Sequence, residues 1–165
     1  MPQRIIHWGL VITFGLCWWS GGRFDALHEW SGYSMIALVA WRIILGFMSK
    51  HPQARWSTMI KTLFNLAVYF QAFINGKSKR SIGHSPTGAV SVLILLGLIS
   101  ATAISGWMLT LEEFVGEEWL EERHYFLFNF LLAWVVLHII VIITLSIRHR
   151  HNKITDMVTG GIAKH

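Results

Sequence analysis

Four histidines stand where an ionisable side chain is least expected. His7, His28, His124 and His138 each lie in or at the edge of an apolar run. Such a group inside a membrane-length run is costly and is usually kept for function. His124 and His138 are fourteen residues apart. On a helix that spacing turns through about 1,400°, within about 40° of whole turns, and rises about 21 Å. Both rings therefore point to one side of one helix, one near each end. His28 and Arg42 share the same spacing and so one face of another helix. A single imidazole is often only a satisfied core group. Four of them at matching depths give two His–His pairs, His28 with His124 and His7 with His138. The second pairing requires helix tilt or an extended first turn to absorb roughly 10 Å.

The chemistry that suits two ligands per centre is narrow. Zinc takes three or four converging ligands, often with carboxylates, and the apolar runs hold a single carboxylate, Glu29, at the outer edge of its run. Haem iron needs two axial ligands, and imidazole serves. No C-x-x-C-H attachment motif occurs, so two non-covalent haems b are expected. A macrocycle needs small neighbours. Gly32 lies one turn from His28, Gly9 follows His7, and Gly97, Ala101 and Ser105 form a stripe; close helix packing would produce the same stripe. Arg42 falls near the inner level, where it either pairs with a haem propionate or snorkels to the interface. Arg123, beside His124, would serve the outer haem in the same way. The one cysteine, Cys17, excludes a disulfide framework, a Cys-ligated zinc site and an all-Cys cluster. No P-loop, GxGxxG or Ser-His-Asp pattern appears.

The elements that must position these groups are helices in a bilayer. The chain has 165 residues, 53% hydrophobic and 14% charged, with a mean hydropathy of +0.48. That is one domain, residues 1–165, with too little charge for an ordinary soluble fold. Apolar spans are expected at about 5–19, 28–48, 87–109 and 125–147. The first is short. A secretory leader is its competing reading, opposed by the single Arg4 before it and by Trp18-Trp19 after it. Between the second and third spans, Met59, Leu63, Leu66, Phe70 and Ile74 make one helix face. The expected fold is all-α: an integral membrane four-helix bundle with an amphipathic interfacial helix between spans two and three. Lys50, Arg55, Lys61, Lys77, Lys79 and Arg80 fill the middle segment, and Arg148, Arg150, Lys153 and Lys164 follow the last span. The positive-inside rule puts both termini and the middle segment in the cytoplasm. Cationic loops beside apolar spans do not point to nucleic acid. Six of the nine acids lie between Glu112 and Glu122, on the outer side. His51, His149, His151 and His165 belong to the basic ends.

The motifs resemble those of the prokaryotic cytochrome b561 family. Arg4-Ile5-Ile6-His7-Trp8 is similar to its opening R-x-x-H-W. His28-x-x-x-Gly32 with Arg42 and Gly46-Phe47 resembles its second span. Gly83-His84-Ser85-Pro86-Thr87-Gly88-Ala89 is similar to the entry to span three of hydrogenase-type b cytochromes, with Ser85 where Asn is frequent. His124 and His138 match the two ligands of span four, whereas His84 is not carried over as a ligand. The resemblance covers about residues 4–148. It implies a four-helix membrane cytochrome with two haems b that exchanges electrons with a quinone, ubiquinone or menaquinone, in a bacterial inner membrane.

Two haems about 21 Å apart would make a path across the bilayer. The expected function is electron transfer between the quinone pool and a periplasmic partner, a c-type cytochrome or an oxidoreductase subunit. A homodimer is the other association allowed. The resemblance also allows an enzyme, a superoxide:quinone oxidoreductase. An anionic substrate calls for a positive field, and the six outer glutamates oppose it, with Arg23 and Arg123 as the nearby cations.

Overall fold

The computed structural model describes residues 2–23, 25–49, 55–64 and 86–148. Those residues are almost entirely helical, and none of them forms a strand. In chain order they are α1 (Pro2–Ser20), α2 (Asp25–Met48), α3 (Trp56–Phe64), α4 (Pro86–Met108), a short 3-10 turn (Glu112–Phe114) and α5 (Glu118–Arg148). Helix is what such a sequence must form, because a backbone in hydrocarbon has to satisfy its own polar groups. The hydroxyls follow the same rule. Thr13, Ser31, Ser100, Thr102 and Thr144 each donate to the carbonyl four residues back, at 2.6–2.9 Å.

Among the described residues three helical stretches, Asp25–Met48, Gly88–Met108 and Glu118–Thr144, are long and apolar enough to cross a bilayer. Helix α1 is not among them. Its nineteen residues would reach about 28 Å, but Gln3, Arg4, His7 and Thr13 dilute its hydropathy. Helix α5 starts seven residues before the expected Tyr125. Glu118, Glu121 and Glu122, expected in a loop, lie on its first two turns, where carboxylates complement the N-terminal end of the helix dipole. Helix α3 covers the first part of the expected amphipathic face. Leu66, Phe70 and Ile74 lie outside the described residues, as do His51, His84, the basic positions 50, 77, 79 and 80, and the segment after Arg148.

Helix α1 packs on α2, α2 on α4, α4 on α5, and α3 on α4. The approach of α1 to α2 is close at Gly9, where a Cβ would stand 3.1 Å from Leu38 Cδ1. The chain reverses after α1 through Gly22, at φ +68°, a conformation glycine adopts without strain. The buried face of α2 reads Ser31, Met35, Val39, Arg42 and Gly46, one helical stripe. Met35 and Val39 meet Leu96 and Ile99 of α4 and Leu131 of α5 in the core. Leu131 is 1% exposed and sits two turns from both His124 and His138. The core is thus an apolar layer between two histidine levels. Outside it, Trp18, Trp19, Trp30, Trp107 and Trp119 are exposed around the end where α1 stops and α2 begins, as in the aromatic belt of a membrane interface.

Candidate functional site

Helix α5 presents His124 and His138 on the face it turns to α4, and α4 answers each with a serine. Ser105 Oγ lies 3.0 Å from His124 Nδ1, and Ser91 Oγ lies 2.9 Å from His138 Nδ1. Ser91 and Ser105 are fourteen residues apart, as the two histidines are. Two antiparallel helices with equal spacing therefore form two matching rungs.

The outer rung is completed by α2. The rings of His28 and His124 face each other with centroids 6.2 Å apart and planes at 86°. His28 Nδ1 is 3.0 Å from the Cys17 carbonyl in the last turn of α1. A carbonyl only accepts, so His28 carries its proton on Nδ1 and keeps the Nε2 lone pair free. Ser105 donates its own proton to the Thr102 carbonyl at 2.8 Å. It must then accept from His124 Nδ1–H, which leaves His124 Nε2 free as well. Each ring thus offers one unprotonated nitrogen.

The inner rung is looser. His7, on α1, stands near enough to His138 for the two to interact electrostatically. Helix α1 is already helical at Pro2, so no extended first turn brings this about. His7 Nδ1 is buried and has no hydrogen-bond partner among the described residues.

A haem fits these donors. A histidine nitrogen binds a first-row metal at about 2.0–2.1 Å, so two rings on one ion have centres roughly 6.4 Å apart. The outer pair stands at 6.2 Å. Among the described residues no three His, Cys, Asp or Glu side chains converge on one point, as a protein zinc site would require. Gly32 leaves open space one turn from His28. Gly106 faces the His124 ring, and a Cβ there would fall 2.9 Å from its Cε1. A haem at the outer rung would be held by His28 and His124.

Arg42 is 9% exposed, and its guanidinium carbon lies 5.2 Å from the centre of the Trp56 ring. Trp56 is fixed in turn. Its indole N–H donates to the Ile43 carbonyl at 3.0 Å, and its ring occupies the space that a side chain at Gly46 would need. Helix α3 therefore anchors the arginine end of α2. Arg123 is exposed, next to His124 on α5. Nothing in the residues alone pointed to Ser91, the Cys17 carbonyl, Gly106 or Trp56 as supports, and Ser105 stood out only as a small residue. The one usable signal was the equal spacing of the two serines and the two histidines.

A helical membrane protein that faces imidazoles in pairs has the form of a membrane cytochrome. A family model described as prokaryotic cytochrome b561 matches residues 1–160, and the chain belongs to that family. It is accordingly a multi-pass membrane protein of a b-type cytochrome family, with haem b as cofactor, electron transfer as its work and a general link to quinones. No curated protein matches the chain, and no solved structure does.

Proposed function

We propose that the chain is a dihaem cytochrome b carrying electrons between the quinone pool and a periplasmic redox partner across the bacterial inner membrane. In this reading α1, α2, α4 and α5 all cross the bilayer, α3 lies in the cytoplasmic interface, and both termini are cytoplasmic. The observation that carries it is the outer rung, Ser105–His124–His28, with Ser91–His138 repeating its serine–histidine contact fourteen residues away. When bound, each haem supplies one-electron chemistry. The protein's part is to hold two imidazoles per centre in the right tautomer, to exclude water with the layer around Leu131, and to offer Arg42 and Arg123 to propionates.

Glu112, Glu113, Glu117, Glu118, Glu121 and Glu122 are all exposed, on the turn and helix start that lead into His124. Six like charges repel one another, and acids contribute little to topology. Their use is to steer a basic protein, such as a c-type cytochrome, toward the outer rung; they would repel the superoxide anion. Complementary charge acts mainly on encounter rate and fades as salt screens it, over about 10 Å at 0.1 M. The test is reduction of a basic cytochrome c by the quinol-reduced protein over a range of ionic strength. The rate should fall steeply with salt, and changing four of these glutamates to glutamine should lower it about tenfold or more at low salt. Haems that no quinol reduces would contradict the quinone link. A rate indifferent to salt and to those substitutions would contradict docking at this face.

A further inference from the structure

We propose that Ser105 and Gly106 are the positioning residues of the outer centre: they hold His124 as the Nδ1–H tautomer with its ring perpendicular to that of His28. The inference rests on the dihaem reading above and assigns roles to two residues of α4 that bind no iron themselves.

The two act on the same ring by opposite means. Ser105 is 6% exposed, and its hydroxyl proton is committed to the Thr102 carbonyl at 2.8 Å. Its oxygen is left as the acceptor for His124 Nδ1–H at 3.0 Å. That bond, with the Thr102 carbonyl that the same ring also meets, fixes which nitrogen is protonated and how far the ring turns about its last side-chain bond. Gly106 supplies the room. A methyl group there would stand 2.9 Å from Cε1 and 3.4 Å from Nδ1 of His124, so the ring would have to rotate or withdraw. One residue pulls the ring into place, and its neighbour lets it come there. The 86° angle between the two rings is the product. His28 has its own anchor in the Cys17 carbonyl, so a change on α4 turns one ring against a fixed one.

Two observables follow that haem content does not report. The angle between axial imidazole planes governs the anisotropy of a low-spin ferric haem, and near-perpendicular rings give a very large highest g value. An acceptor on Nδ1–H also raises the basicity of the ligating imidazole, which favours ferric over ferrous iron.

The experiment uses the purified full-length holoprotein, with Ser105→Ala, Ser105→Thr and Gly106→Ala variants. Haem content, low-temperature electron paramagnetic resonance and redox titration are measured on each. The wild type should show two haems and one highly anisotropic low-spin signal. Ser105→Ala should lower the largest g of that signal and raise its midpoint by about 59 mV, the one-electron equivalent of a tenfold shift. Ser105→Thr, which keeps the hydroxyl, should restore both. Gly106→Ala should move the same signal and leave the other haem unchanged. Loss of the outer haem in Ser105→Ala with retention in Ser105→Thr would also support the assignment. A Ser105→Ala protein with two haems, an unchanged g value and an unchanged midpoint would overturn it, as would haem loss in both serine variants. A wild type without two haems would strike the dihaem reading instead.

Discussion

Replacing His124 with alanine is expected to lower haem content from two per chain to one, with the inner haem kept near its original midpoint. The expectation comes from depth. His124 shares its rung with His28, at 6.2 Å between ring centres, and about 21 Å of helix separates it from His138. Between the rungs lie Met35, Val39, Leu96, Ile99 and Leu131, none of which touches iron in this account. A second haem therefore keeps both its ligands when His124 is lost. The effect should be large. Even partners that only orient a metal-ligating histidine are worth about 10–100-fold in affinity, and the ligand itself is worth more. His28→Ala should remove the same haem as His124→Ala, and His7→Ala the same haem as His138→Ala. Pyridine haemochrome assays with redox titration check this directly. If His28→Ala and His138→Ala removed one and the same haem, the pairing would be wrong.

Arg42→Leu should strip or weaken the inner haem while leaving the outer one intact. Arg42 lies fourteen residues from His28 on the buried face of α2, which puts it near the inner level. It is held there by stacking on Trp56, a contact worth about 0.5–2 kcal/mol. A guanidinium held in this way would give an ionised propionate a partner in a low-dielectric site, and a hydrogen bond to a charged group contributes about 1.5–3 kcal/mol. Its loss corresponds to roughly a tenfold to hundredfold weaker retention. The inner midpoint should also fall, because removing a positive charge favours the ferric state. Trp56→Ala should produce a smaller change in the same direction by freeing the arginine. Unchanged occupancy and midpoint in Arg42→Leu would mean that the side chain only reaches for the interface.

What could be read from the residues was whatever depends on one helix at a time. Hydropathy located α2 and α4 to within a few residues, and the fourteen-residue spacing placed both histidines on one face of α5. The start of α5 was misjudged because Glu118, Glu121 and Glu122 look like loop by hydropathy, yet carboxylates are at home in a first helical turn. Supports that join two helices were not legible. Ser91 and Ser105 meet histidines only because α4 is rotated to face α5, and rotation about a helix axis leaves no mark in a uniformly apolar sequence. The Cys17 carbonyl has no side chain to betray it. Gly106 carries no motif and Gly46 stood out only through the family resemblance, although one makes room for the His124 ring and the other for Trp56. The standing of α1 as a span is marginal by composition, because the polar residues that dilute it include the histidine proposed as a ligand.

Haem quantitation with a redox titration of the purified chain decides whether four histidines hold two haems at two depths. Two non-covalent haems b per chain, with two separable midpoints, are expected. One haem or none per chain would contradict that arrangement.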